Sequence, residues 1–239
     1  MFLPNSEMSY GEQATLEGIL AMATPSTSVE IGTYTGGSLR RIAGRSGHVH
    51  TFDLVSHVTE RLPNVAYHLG DSATTVPALL RRLHAEGTAV DFAFVDGDHA
   101  RDGVRRDALS LLDSPAVVDT IIVFHDIANE GVRAGVQDAL AGRDDLAFVD
   151  LSFAVPASTG RFLAESWGGL GLVVVDKTGS SWKLPRQRLP NADWRTTTQR
   201  GPVWRASAPA RAAKRAAGYR VRPLIRRVRG VRGRQAPGS

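Results

Sequence analysis

Residues 26–37 read Ser-Thr-Ser-Val-Glu-Ile-Gly-Thr-Tyr-Thr-Gly-Gly, and the architecture turns on this stretch. Its first half, about residues 27–31, is a short apolar run bounded by turn formers, long enough for one strand and too short for a helix. Its second half is a glycine-rich turn, where the missing Cβ lets the backbone approach a ligand closely. Ser38 to Arg45 continues as a helix, with Leu39, Ile42 and Ala43 facing inward. The turn is not the dinucleotide pattern G-x-G-x-x-G, because Tyr34 stands where the second glycine belongs. Nor is it a phosphate loop, because no Lys-Ser/Thr pair follows.

Outward from this unit the same alternation repeats. Residues 7–22 form a helix ahead of it, broken by Pro25 and Ser26. Strands follow at 48–54, 65–71, 90–98 and 119–126, with helices at 75–86, 100–112 and 131–142. Two last strands, 146–153 and 169–177, have a loop but no helix between them, as an antiparallel closing pair would. Strands alternating with helices predict an α/β fold: a Rossmann-like, doubly wound, mostly parallel sheet of seven strands with an antiparallel C-terminal strand. In such a sheet a ligand sits beyond the carboxyl ends of the strands. Those ends carry Gly32–Gly37, Asp53, Asp71, Asp96–His99 and His125–Asp126.

Composition narrows the chemistry. The 239 residues include no cysteine, which excludes a thiolate zinc site, an iron–sulfur cluster and a cysteine nucleophile. No window approaches the apolar length of a membrane span. The start lacks a basic region followed by an apolar core, so a cytoplasmic protein is expected. The net charge of +5 conceals a segregation: residues 1–193 hold all 24 acids and 16 of the 29 bases, a net of −8, and residues 194–239 hold 13 bases and no acid. The expected organisation is therefore an acidic catalytic domain, 1–193, and a basic tail, 194–239. For the tail three readings stand: a solvated segment, a contact with an anionic membrane surface that would make the protein peripheral, or a grip on nucleic acid or another polyanion. The interleaved Tyr219, Val221, Leu224, Ile225, Val228 and Val231 suit an interfacial segment.

Three features form one half of a site. The glycine turn is the first, readable also as a tight strand-to-helix turn. Asp53, about 20 residues on, could accept hydrogen bonds from both hydroxyls of a ribose or simply cap a loop. Asp71 and Ser72 end the third strand, where an acid could reach an adenine amino group. Together they describe an adenosyl pocket without a pyrophosphate grip.

At this point the chain resembles a family. Glu-Ile-Gly-Thr-Tyr-Thr-Gly followed by Ser38 is similar to the first motif of class I S-adenosylmethionine-dependent O-methyltransferases, in particular the metal-dependent branch. Phe94-Val95-Asp96-Gly97-Asp98-His99, Gly103-Val104-Arg105-Arg106-Asp107 and Phe124-His125-Asp126-Ile127 resemble its sugar-directed relatives, the macrolide-sugar and polysaccharide O-methyltransferases. The resemblance covers roughly residues 7–177. It implies that Glu30, Gly32, Thr33, Tyr34, Gly36 and Ser38, with Asp96 opposite, hold the methionine end of S-adenosylmethionine. It further implies Asp53 on the ribose and Asp71 with Ser72 on the adenine side.

Methyl transfer from a sulfonium needs positioning and a deprotonated acceptor. Asp96 and Asp126 end neighbouring strands and could converge on one hard cation, Mg²⁺ or Mn²⁺, or could be solvated caps. His125 is either a third ligand, favouring manganese, or a packing residue, since the family usually places a carboxylate there. By resemblance the catalytic base falls three residues after the metal-binding Asp, on His99, whose ordinary pKa suits the role. Asp98 is expected to cap the following helix or orient His99. The other histidines read as structural. Acceptor recognition is expected from Met8–Gln13, Ile127–Arg133 and the loop 154–168 with Arg161, Phe162 and Trp167. The acceptor is expected to be a small molecule or glycan, and the chain could form a homo-oligomer. The competing readings are a nucleic-acid methyltransferase gripping through the tail, an adenosyl-binding module without chemistry, and a nicotinamide enzyme, the last disfavoured by the broken fingerprint.

Overall fold

The computed structural model describes residues 8–154 and 167–179. Along the chain these form α1 (Tyr10–Ala23), β1 (Thr27–Ile31), α2 (Leu39–Ala43), β2 (His48–Asp53), β3 (Val65–Leu69), α3 (Ser72–Ala85), β4 (Val90–Val95), α4 (Arg101–Leu112), β5 (Val117–Phe124), α5 (Glu130–Leu140), β6 (Leu146–Ala154) and β7 (Leu170–Asp176). The seven strands make one sheet in the order β3-β2-β1-β4-β5-β7-β6. β1 pairs in parallel with β2 and β4, and β5 in parallel with β4. β7 runs antiparallel between β5 and β6. The reversed strand is thus the seventh, inserted inside the sixth. The order reverses direction at β1 and β4, so the crevice at their carboxyl ends is the topological switch point.

Central strands buried on both sides account for the continuous apolar runs. All five residues of β1 are buried. On β4 the side chains alternate: Ala93 and Val95 pack toward α3, α4 and α5, while Phe92 and Phe94 pack toward α1 and α2. Phe52, Phe92, Phe94 and Phe124 are among the largest fully buried side chains. Each contributes roughly 1.5–3 kcal/mol by leaving water.

The helices begin where side chains satisfy their first amides. Ser9 caps α1 in a capping box with Glu12, Asp71 caps α3 by accepting from the Ala73 amide, and Asn129 caps α5. The Asp71 cap starts α3 three residues earlier than the apolar spacing predicts. Pro77 therefore falls in the second turn, not the first, and leaves the Ala73 carbonyl without its helical donor. β4 stops at Val95 and not at Asp98, because the chain turns out of the ladder once the Asp96 amide has bonded the Ile31 carbonyl at 2.7 Å. Among the described residues no helix is long and apolar enough to cross a membrane. The tail from residue 194 and the loop residues Arg161 and Phe162 lie outside the described residues.

Candidate active site

The carboxyl ends of β1, β2, β4 and β5 open into one cavity of about 720 Å³. Two halves of a site meet in it. Gly32, Thr33, Tyr34, Ser38, Asp53, Asp71 and Ser72 line one side, and Asp96, His99, His125 and Asp126 line the other.

The glycine turn has a steric cause. Gly32 has φ +92°, and a Cβ there would sit 2.0 Å from the Asp96 carbonyl oxygen, so the end of β1 presses backbone to backbone against β4. Tyr34 adopts φ +46°, a left-handed conformation that side chains rarely take, at the position where the dinucleotide pattern has glycine. Asp53 braces this turn: one of its oxygens accepts from the Thr33 and Tyr34 amides at 3.2 and 2.7 Å, and the other from Val55 at 3.3 Å. A carboxylate has about four lone-pair sites, so Asp53 keeps acceptor capacity toward the cavity.

Glu30 and Gly36 do not line the cavity. Glu30 lies beneath the turn, fully buried, accepting from the Ser38 hydroxyl at 2.6 Å and the Thr51 hydroxyl at 2.5 Å. Burial pushes its carboxyl up to about 8, against the pull of those two hydroxyls. It shapes the floor that Ser38 and the turn stand on. Asp71 spends one oxygen capping α3 at 2.9 Å, and Ser72 donates to the buried Asp107 at 2.7 Å. Met8, Leu54, Gly70 and Arg106 also line the cavity. Gly70 belongs to the Gly70-Asp71-Ser72 run that the sequence points to, whereas Leu54 and Arg106 were not expected as wall residues, though Leu54 adjoins Asp53.

The other side gathers side chains from four elements. His99 Nε2 lies 3.1 Å from an Asp126 oxygen and 3.6 Å from Asp96. His125 Nδ1 lies 3.1 Å from Asp96 and 3.6 Å from Asp126, and its Nε2 is 3.8 Å from Glu12. The Nε2 atoms of both histidines are buried without an aligned hydrogen bond. Asp126 and then Asp96 hold a proton on His99, raising its pKa to about 10. For His125 burial works the other way, but Asp96, Asp126 and Glu12 outweigh it and lift the ring to about 9. Asp96 is partly buried, and desolvation would raise it, yet His125 and His99 hold it below the usual carboxylate range.

Asp98 accepts from the Ala100 amide at 2.8 Å, and a Cβ on Gly103 would meet its carboxylate at 1.8 Å. Asp98 thus folds over the start of α4 and sets the turn that presents His99. Trp167 meets the His99 ring edge-on at 5.1 Å between centroids.

One ligand atom each from Asp96, His99 and Asp126 fall within 4.8 Å of one another, a spacing from which they could hold a metal ion. The orphaned Nε2 of His99 faces into this group. Two carboxylates with an imidazole suit a divalent ion, and nitrogen ligation favours a transition ion over magnesium; a nitrogen bound to the ion has no lone pair for a proton, so ligation and base catalysis are alternative roles for the His99 Nε2. His125 stands behind Asp96, where it can join this set or orient it.

Residues 29–127 match the family model described as a methyltransferase domain. No curated protein matches the chain. An O-methyltransferase from Bacillus cereus, solved with SAH, is 17% identical, with 73% of this chain and 84% of that chain covered at a TM-score of 0.51. The O-methyltransferase TomG from Streptomyces achromogenes, involved in tomaymycin synthesis and solved with SAM, is 20% identical, covering 73% and 83% at 0.53. MycE methyltransferase of mycinamycin biosynthesis, solved with Mg, SAH and mycinamycin VI, is 14% identical, covering 75% of this chain and 53% of that chain at 0.52. At these identities the likeness is one of fold. The matched residues 29–127 run from β1 to just past β5, the part of the sheet whose strand ends frame the cavity.

Proposed function

We propose that this protein is an S-adenosylmethionine-dependent O-methyltransferase acting on a hydroxyl of a sugar or glycosylated natural product, with His99 as base and a divalent metal at Asp96 and Asp126. The observation that carries this reading is the shared cavity: the half lined by the glycine turn, Asp53 and Asp71 and the carboxylate–imidazole half open into the same space. The lining also matches the cofactor's charge. Asp53, Asp71, Asp96, Asp98 and Asp126 all face the cavity, and a sulfonium is a cation. The Mg-bound MycE and the SAM-bound TomG support the same reading by analogy.

In the reaction the acceptor oxygen attacks the methyl carbon in line with the carbon–sulfur bond. The C–O bond forms as C–S breaks, the electron pair leaves on sulfur as a neutral thioether, and the hydroxyl proton passes to a base. His99 is the group placed for that proton. It must first lose the one that Asp126 and Asp96 hold on it. A divalent ion on Asp96 and Asp126, when bound, supplies the positive charge that frees the imidazole and lowers the hydroxyl's pKa. Asp53 and the turn amides orient the cofactor, and Trp167 shields one edge of His99 from water.

Calorimetry with S-adenosylmethionine, S-adenosylhomocysteine and NAD, with and without Mg²⁺ or Mn²⁺, tests the cofactor assignment. A methyl-transfer screen against hydroxylated sugars, with His99→Ala and Asp126→Ala, tests the chemistry. Tight NAD binding would overturn the first assignment, and turnover that survives a chelator would overturn the metal.

The +13 charge of residues 194–239 favours a second contact. In this proposal a cytoplasmic enzyme is held at an anionic membrane surface by its tail. Deleting residues 200–239 should abolish salt-sensitive binding to anionic vesicles and leave methyl transfer intact. Loss of transfer together with loss of RNA or DNA binding would favour a nucleic-acid methyltransferase instead. A homo-oligomer is a further expectation that sedimentation would check.

A further inference from the structure

Glu12 begins as an ordinary third residue of a capping box. One of its carboxylate oxygens accepts from the Ser9 amide at 2.6 Å, and Ser9 in turn caps the Glu12 amide. Such a carboxylate normally faces water, because its whole task is local. Here Glu12 is 2% exposed. Its other oxygen accepts from the amide of Gly169, 157 residues away.

The preceding amide, Gly168, donates to Asp126 at 2.5 Å. Two acids far apart in the chain, Glu12 and Asp126, thus hold two successive glycine amides. The Gly168 and Gly169 carbonyls complete the clasp by accepting from Ala128 and Ile127 at 3.0 and 3.4 Å. Both glycines have φ +84°, which a side chain would resist.

This clasp bears on the reacting end of the site. Asp126 has φ +52°, a left-handed conformation that costs a non-glycine residue free energy and persists only where its surroundings impose it. With one oxygen committed to Gly168, its other oxygen is left facing His99 at 3.1 Å. Trp167, next in the chain to Gly168, lies on the edge of the His99 ring.

We propose that Glu12 is a positioning residue: through the Gly168–Gly169 turn it holds Asp126 in the strained conformation that aims its free oxygen at His99. Helix α1 is then part of the catalytic apparatus and not only a cover for the sheet. The proposal rests on reading His99 and Asp126 as the reacting end.

The test uses the full-length, ¹⁵N-labelled protein without cofactor at one fixed pH. Imidazole signals of His99 are the reporter, because His99 touches Asp126 and not Glu12. Glu12→Ala should move the His99 signals. Glu12→Gln keeps an acceptor oxygen for Gly169 and should return them close to the parent positions. Ser9→Ala removes the other half of the capping box and should lower the melting temperature without moving His99. Should Glu12→Ala fail to fold, Glu12→Asp, one methylene too short to reach Gly169, takes its place with the same expectation. Unmoved His99 signals in Glu12→Ala or Glu12→Asp, movement in Glu12→Gln as large as in Glu12→Ala (an effect of the charge Glu12 places 3.8 Å from His125), or equal movement in Ser9→Ala would overturn the proposal. Calorimetry of the parent protein with S-adenosylmethionine reports separately on the methyltransferase reading, so either can fail alone.

Discussion

His50 and His68 face each other at 3.1 Å on neighbouring strands near the sheet edge, while His99 and His125 flank Asp96 and Asp126 at the ends of β4 and β5. Both pairs are at least partly buried, yet they titrate in opposite directions. Burial lowers His50 to about 4, and His48, His68 and Arg82 push the same way. His68 is lowered for the same causes, burial first and then Arg82 and His48. His99 and His125 stand among carboxylates and are raised to about 10 and about 9. Burial disfavours charge wherever a histidine sits, and only an anion within a few ångströms reverses it. What sets the two pairs apart is the company they keep and not their depth.

The sharpest way to break this contrast is to remove members of the carboxylate–imidazole group. His99→Ala or Asp126→Ala should reduce kcat by about 10²–10⁴-fold, the usual contribution of a positioned base, with S-adenosylmethionine affinity little changed. Steady-state kinetics with separate calorimetry would show it, and a loss under tenfold would demote both residues.

The metal-free protein should next reveal the raised pair on its alkaline side. Their folded pKa values exceed the ordinary 6.5, so the stability they add is complete below pH 6.5 and is lost as pH rises through about 9 to 10. Denaturant midpoints between pH 6 and 10 should fall accordingly. Diamagnetic Mg²⁺ should shift the His99 titration, followed by NMR, to lower pH, since a cation opposes the imidazolium.

The edge pair predicts the reverse sign. The folded pKa of His50 is depressed, so its neutral form is favoured, and stability is lost as pH falls from 6.5 through about 4. His50→Phe should flatten that acid limb and leave the alkaline one unchanged. The smallest effect is expected from His68→Gln. It gives up the stacked contact with Phe52 at 4.6 Å, worth about 0.5–1.5 kcal/mol, and should leave methyl transfer within about twofold of the parent.

Much of this contrast could be read before any coordinates. The positions of Asp96, His99, His125 and Asp126 at strand ends follow from apolar runs that stop at polar residues, and the strand starts at 27, 48, 65, 90 and 146 match. The structure places β1 at Thr27–Ile31 as the residues predict, because a five-residue run rich in β-branched side chains (Thr27, Val29, Ile31) between turn formers has few other fates. Boundaries were harder where a cap competed with periodicity, as Asp71 does at α3. Glu30 shows another limit. Its place in a motif marks it as important, but only the fold shows that it points beneath the turn to Ser38 and Thr51 and away from the cavity.

By itself the sequence determined the alternation of strands and helices, the glycine turn that follows β1, and the acids at the strand ends, because each depends on local periodicity or on a residue's own conformational range. The strand order, the two-histidine environment of Asp96 and the bond from Glu12 to Gly169 were decided by tertiary structure alone. A contact between residues 157 apart leaves no mark in either one's neighbours. It exists because packing α1 against the sheet buries a carboxylate that must then find a donor, and the Gly169 amide is the donor the fold brings within reach.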